Sequence, residues 1–503
     1  MTTYGRPGVY LKENIVQEFI SPASRSEAVA ALIGALPKGP TTPTFISTWS
    51  EFTKTFGGLD YTCPTTVAAY LFFSNGGRDV YIRRVVGAGS VAATITLVDT
   101  NNTGTLTVKA NNVGTWGNDL AIEIKETTGS RFNLLVYGAP LAVGVGTRSN
   151  ILEQHVDLSM NTTDSRFIES VINNSSAYII VDALRTTLPE ADAVLHQLST
   201  GANGAAINAA AVGSTFADFD SIDIPTLFNM PDAASSFTSG DYTTANAALL
   251  TYCATRGDGF AIIDTRSGSD TAAAVSQASG FITNGTNGAI YYPWLVIPDN
   301  SRSVRTATTT VAPGGAVLGQ YQATDSAYGV FKTPAGFGTR LAGVVGLEKR
   351  LTNSELDTLN SATSAVNAIR ITPGAGIVIM GGRTLTNTRP NVYINIRRNL
   401  IYIKKELRDR SQFAVFENND EGLWNQLSSS LSNFLNVYWQ QGGLRGSNPT
   451  QAFYVKVDSE TTSQSDIENG LVNIVVGVAL EYPAEFIQIT IGQITGDASV
   501  TQG

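Results

Sequence analysis

Uninterrupted apolar runs and amphipathic stretches alternate along this chain, and their order predicts its elements. AVAALIGALP, residues 28–37, reads as a buried strand ended by Pro37, and TVAAYLFFSNGG, 66–77, as a helix stopped by Gly76 and Gly77. DVYIRRVV, 79–86, is another strand, and the three together open an α/β unit. Ahead of them, the first twenty or so residues hold Gly5, Pro7 and Gly8 and then the alternating VYLKENIV. This is an extended arm with one short strand and no core of its own.

Between Ala92 and about Phe167 the texture changes to TITLVD, GTLTVKA, LAIEIKE and FNLLVYG. Short alternating strands parted by Asn/Gly turns predict an inserted all-β module. From Ala177 the apolar runs YIIVDAL, FAIIDTR and YYPWLVIPD follow, interleaved with the Ala-rich helical segments TTANAALLTYCATR and TAAAVSQASGFI. An α/β layer with a mainly parallel sheet is the inference.

Beyond Gly343, LTNSELDTLNSATSAVNAIR carries the capping-box spacing Thr352 to Glu355, with Leu356, Leu359, Val366 and Ile369 at helical intervals. A strand, VYI, comes next, and then a helix from about Ile396 with the apolar stripe Ile396, Leu400, Ile403 and Leu407. A third helix runs from near Asn419 to Gly442 with Trp424, Leu427, Leu431, Phe434, Leu435 and Tyr438 on one side. AFYVKVD and EFIQITI are expected to close the last domain as strands.

At 503 residues the chain is too long for one core, and roughly two to four domains are expected. Charged residues at only 15% leave a surface rich in Thr, Ser, Asn, Gly and Ala, which suits packing against copies of itself. No run of about 18 uncharged apolar residues occurs, and MTTYGRPGVYLKENIV has no basic segment leading into a hydrophobic one. A soluble protein without secretion signal or membrane insertion is expected. Cys63 and Cys253 form no CxxC pattern, and His155 and His196 are the only histidines. A zinc site, a disulfide framework and a His-based triad therefore lack material.

No GxxxxGK[ST] phosphate loop and no GxSxG elbow occurs. GAGIVIMGG, Gly374 to Gly382, lacks GxGxxG spacing and reads as a tight turn plus a buried strand. Asp182, Asp264 and Asp299 each follow an apolar strand, where α/β sheets often place catalytic carboxylates. Ordinary turn and capping chemistry explains them better, since no histidine or basic partner accompanies them in pattern. No catalytic residue, cofactor or metal site is assigned.

One segment reverses the chain's charge. VYINIRRNLIYIKKELRDR, Val392 to Arg410, holds six basic and two acidic residues in a chain of net charge −9. At about 100° per residue, Arg397, Lys404 and Arg408 fall within roughly 40° of one another, beside the apolar stripe, with Arg398 and Lys405 further round. A purely positive flank in an acidic protein suggests an acidic partner surface. Nucleic acid fits less well, because the strip lacks interleaved Gly and aromatic residues and the net charge repels phosphates.

A series of motifs in order carries a family resemblance: YGRPGVYLKE at the start, GTWGND at Gly114–Asp119, YYPWL at Tyr291–Leu295 and APGGAVLGQYQATDSAYGVFKTPAG at Ala312–Gly336. GIVIMGGRTL, VYINIRRNL, FENNDEGLW, GGLRG and YPAEFI follow in the last third. Over nearly its whole length the chain resembles the tail sheath proteins of contractile-tailed bacteriophages, related to the sheaths of contractile bacteriocins and more distantly to type VI secretion sheaths.

The resemblance implies a multidomain α/β fold. Its discontinuous α+β core domain would comprise residues 21–91 and 343–493, with a β-sandwich-like domain inserted at 92–172 and a non-catalytic, subtilisin-like α/β domain at 173–342. Residues 1–20 and 494–503 would be terminal arms. Implied, too, are hexameric rings stacked helically around a tail tube protein, contact with baseplate and tail terminator, and a place in the virion tail after assembly in the host cytoplasm. The arms would add strands to neighbouring subunits, with Val9, Tyr10, Leu11, Ile15 and Val16 in the N-terminal strand. Basic residues on an inner helix of such sheaths meet acidic tube residues, a role this likeness gives to Arg397, Lys404 and Arg408. A hydrolase on the middle α/β domain, or a capsid or surface-layer lattice protein, are the rival readings.

Overall fold

The computed structural model describes residues 28–126, 129–138, 150–192, 194–304 and 306–485. The expected arm strand at Val9, Tyr10, Leu11, Ile15 and Val16, the arm 494–503 and nearly all of EFIQITI lie outside these residues.

The first strand, β1 (Val29–Ala35), shows why the chain folds as it does. Its residues are almost all apolar and buried, so both of its faces must be covered. Ala30 and Leu32 enter one hydrophobic cluster, Ala31 and Ile33 the other, as alternation along a strand requires. β2 (Thr44–Ile46), helices α1 (Trp49–Phe56) and α2 (Pro64–Ser74) and strand β3 (Val80–Val85) follow, and β3 pairs in parallel with β1.

The chain then leaves this layer for an all-β insertion. β4 (Thr94–Val98), β5 (Gly104–Ala110), β6 (Ala121–Glu126), β7 (Phe132–Tyr137), β8 (Ile151–Leu158), helix α3 (Ile168–Ser175), β9 (Ile179–Ala183) and β10 (His196–Gln197) build it. Two antiparallel sheets, β10-β6-β7-β8 and β4-β5-β9, close on one apolar cluster reaching from Ala93 to Leu198. The module hangs from a narrow neck. Ala205 donates its backbone N–H to Ala88 O at 3.0 Å, and a Cβ on Gly87 would stand 1.7 Å from Ala205 O.

After the neck come α4 (Ala209–Gly213), β11 (Thr226–Asn229), α5 (Pro231–Ser236), α6 (Ser239–Arg256), β12 (Gly259–Asp264), α7 (Thr271–Ser279) and β13 (Gly288–Tyr292). β14 (Leu295–Pro298), β15 (Thr308–Val311), α8 (Gly314–Tyr328), β16 (Gly346–Leu347), α9 (Asn353–Ser361), β17 (Asn367–Thr372) and β18 (Gly376–Ile379) complete the α/β layer. An eight-stranded sheet runs β18-β17-β13-β12-β11-β1-β3-β2, parallel from β17 to β3 with an antiparallel strand at each edge. α2 and α8 cover one face, and α5, α6, α7 and α9 the other.

The observed boundaries differ from those expected. β1 and β3, expected in a core shared with the C-terminal third and apart from the 173–342 layer, stand inside that layer's sheet because β11 supplies β1's second neighbour. Ile179–Ala183, expected in the α/β layer, pairs antiparallel with β5 and belongs to the insertion, which thus runs past 172. Its burial alternates, the mark of a strand with one wet face.

Two further expectations change. The capping box at Thr352 forms, with Glu355 N–H donating to Thr352 Oγ1 at 3.3 Å and Thr352 N–H to Glu355 Oε2 at 2.9 Å. The helix nevertheless stops at Ser361, so Val366 lies beyond it and Ile369 sits in β17, where alternation overrides the helical spacing. VYI is not a strand: Tyr393 makes a single bridge to Arg383, and the helix opens directly after it.

The last unit is α10 (Ile394–Ser411), α11 (Glu421–Gln440) and the two-stranded ribbon β19 (Phe453–Lys456) with β20 (Val475–Val478). Ile403 of α10 meets Phe434, Leu435 and Tyr438 of α11 in a cluster of their own.

Candidate interaction surface

The buried face of α10 is not the expected aliphatic stripe alone. Ile396 and Ile403 are buried but Leu400 and Leu407 only half so, while Asn395, Arg398 and Asn399 are buried with them. Each of these buried polar side chains donates to another piece of the chain, although Asn395 Oδ1 is buried without a partner. Asn399 donates to Gly443 O at 2.9 Å and accepts from Tyr438 Oη at 2.7 Å. Asn395 Nδ2 donates to Phe331 O at 3.1 Å and Glu481 O at 3.0 Å.

Arg398, 3% exposed, faces Asp325 of α8. Both guanidinium nitrogens engage the carboxylate, Nη1 reaching Oδ1 at 2.9 Å, and the guanidinium lies 4.8 Å from the centre of the Tyr321 ring. Tyr321 and Tyr291 hydroxyls meet at 2.7 Å, and burial pushes the Tyr291 hydroxyl well above its ordinary range. The pair therefore fastens α10 to the face of the large sheet.

The basic strip does not present one positive flank. Lys405 Nζ stands 3.2 Å from Asp223 Oδ2 and also pairs with Asp409, while Arg408 pairs with the other oxygen of Asp223. Arg410 pairs with Glu406 at 3.1 Å. Asp223 lies in the loop before β11 and was not foreseeable from helical spacing. Of the three residues expected to face a partner, Arg408 is exposed but paired and Lys404 is exposed with no ion pair among the described residues. Arg397 is half-buried; burial pushes its guanidinium down, and its Nε is buried without a hydrogen-bond partner.

The strand-end acids do not converge. Asp182 lies on β9 of the insertion, whereas Asp264 ends β12 of the large sheet. Asp264 accepts from Gly314 N–H at 2.6 Å and Asn229 Nδ2 at 2.9 Å, and burial pushes its carboxyl up to about 6. Asp232 accepts from Thr65 Oγ1 at 2.7 Å and Ala35 N–H at 2.9 Å and is likewise pushed up by burial to about 6. Asp299 is held below the carboxylate range, first by the Ser301 hydroxyl. These contacts are caps and turn closures, and no histidine stands beside any of these acids among the described residues. His155 pairs with Glu153 and His196 with Asp192, both in the insertion. Among the described residues no group of three His, Cys, Asp or Glu side chains could hold a metal ion, and no helix is long and apolar enough to cross a membrane.

The ribbon adds a second surface. Among the described residues β19 and β20 pair only with each other, each keeping an edge of unpaired backbone groups, and Tyr454 and Val475 on them are exposed. Val475–Val478 was not read as a strand from sequence: its run is short and uniformly apolar, and it pairs with a partner some twenty residues earlier.

No family model matches the chain, and no curated protein matches its sequence. Solved structures do match its fold. The helical sheath of the anti-feeding prophage in the contracted state is 21% identical with a TM-score of 0.59, covering 98% of this chain and 100% of that one. The PVC sheath complex of an extracellular contractile injection system, contracted, is 19% identical with a TM-score of 0.54, covering 98% and 99%. A sheath tail protein from Listeria innocua is 13% identical with a TM-score of 0.62, covering 91% and 96%. The chain has the fold of contractile tail sheath proteins, the one its ordered motifs resemble.

Proposed function

We propose that this chain is the sheath subunit of a contractile tail or injection device, a mechanical part and not an enzyme. The observation that carries the reading is the extent of the likeness: 98% of the chain, insertion included, follows sheath chains solved in a contracted assembly. In this reading, subunits form hexameric rings that stack helically around a tail tube, joined to a baseplate below and a terminator above. Contraction is a collective rearrangement between two lattices, the extended one held kinetically until the baseplate releases it.

Two surfaces serve that reading. The ribbon β19–β20 offers free edges on which the terminal segments 1–20 and 494–503 of neighbouring copies add strands, so main-chain hydrogen bonds keep subunits linked while domains rotate. Lys404, with Arg397 and Arg408 beside it, meets acidic residues of the tube. Exposed pairs contribute about 0.2–1 kcal/mol each, weak enough to let go together during contraction.

Electron microscopy of the purified, untagged protein at high concentration tests the reading. Hollow striated tubes are expected; closed shells or flat sheets would replace it with a capsid or surface-layer lattice.

A further inference from the structure

An open cavity of about 400 Å³ lies where the first turn of α9 meets the end of β17. Residues two apart on a strand share a face, so Arg370 and Thr372 of β17 stand on one side, the side on which Val366 and Ala368 join the hydrophobic cluster under α9. Both line the cavity, together with Arg350 and with Asn353, the first residue of α9, which sets the positive end of that helix at the rim.

Three features of this cavity are unspent. Thr372 is 7% exposed, and its buried hydroxyl has no hydrogen-bond partner; the buried Nε of Arg370 has none either. Neither Arg350 nor Arg370 makes an ion pair among the described residues, although acidic residues outnumber basic ones by 42 to 33 in the chain. Glu348, two residues before Arg350, makes no ion pair with it, and Glu355 is taken by Lys349 at 2.6 Å and by its capping box. Two guanidinium groups, a hydroxyl and a helix N-terminus around one partly apolar hollow are the donor types that bind an oxyanion.

We propose that this cavity is an oxyanion socket, binding a carboxylate or phosphate group between Arg350, Arg370 and Thr372. The group comes either from a free anion or from an acidic side chain of a second copy of this chain; only the second source rests on the sheath reading. A guanidinium pair recognises both, and the Thr372 hydroxyl, buried without a partner, adds one charge-assisted donor to the bound oxyanion.

The test compares the full-length protein with the double variant Arg350→Gln/Arg370→Gln, and with Thr372→Val, which keeps the shape and loses the hydroxyl. Inorganic phosphate replaces chloride at matched ionic strength while the unfolding midpoint is followed. The wild-type midpoint is expected to rise by about one to three degrees, with no rise in the double variant and a smaller one in Thr372→Val. If phosphate moves neither protein, but the folded double variant fails to form the tubes that wild type forms, the socket takes a carboxylate from a second copy. An equal shift in wild type and double variant is a general salt effect and overturns the socket. So does the absence of any shift when both proteins form tubes, or when neither does. A wild-type response that the variant lacks, in a protein that forms no tubes, keeps the socket and removes the sheath reading alone.

Discussion

Arg398 on α10 and Asp325 on α8 meet in a fully desolvated, two-pronged pair, each side chain 3% exposed, and they join the C-terminal helical unit to the α/β layer. Removing one partner strands the other charge in the interior. Arg398→Ala is expected to cost about 3–5 kcal/mol, while Arg398→Met with Asp325→Leu is expected to recover most of that. Chemical denaturation of the three proteins measures it; a double variant as unstable as the single one would place the cost in lost packing over Tyr321.

Asp223 neutralises Lys405 and Arg408 within the subunit, so the strip is less positive than its sequence. Asp223→Asn should leave Lys405 on Asp409 and Arg408 with only a 3.8 Å contact to Asp409, and on the sheath reading strengthen binding to an acidic tube by tenths to about 1 kcal/mol per subunit. The readout is the salt concentration at which sheaths dissociate from tubes, expected to rise for Asp223→Asn and to fall for Lys404→Glu. No movement in either would separate this helix from the tube.

Asp232 and Asp264 are both pushed by burial to about 6 from an ordinary 3.8. Because the folded state holds these protons more tightly than the unfolded chain, their stabilising contribution is complete below about 4 and is lost as pH rises through 6. Each shift corresponds to an upper limit of about 3 kcal/mol. The unfolding midpoint should therefore rise as pH falls from 7.5 to 5, where the salt-bridged Glu355, held down to about 2 chiefly by Lys349, is still ionised. A midpoint that falls over that range would contradict the assignment.

Gly315 lets α8 lie against α2: a Cβ there would stand 2.2 Å from the backbone oxygen of Ala68. Backbone cannot rotate away as a side chain can, so Gly315→Ala must push two helices apart. A loss of at least about 2 kcal/mol is expected in denaturant unfolding, well above the usual gain from Ala in a helix.

What could be read from sequence was local. The apolar β1, the Thr352 capping box and the stripe of α11 each state their element within a few residues, and the ordered motifs carried the fold. What could not be read was pairing at a distance. Nothing near Val29 says that its strand neighbours are residues 80 and 226 onward, and nothing in α10 says that an acid about 180 residues earlier takes two of its cations. The socket at Arg370 was equally silent, since an arginine without an acid is visible only once every neighbour is placed.

The neck at Gly87 and Ala205 has a consequence for how such a chain diversifies. The chain enters and leaves the module by two backbone segments one hydrogen bond apart, so the module is a cassette: closing the large sheet without it takes only a short turn at that point, and the cost of loop closure grows only slowly with the length inserted. An inserted domain whose ends lie that close fits at this port while the large sheet keeps its strand order.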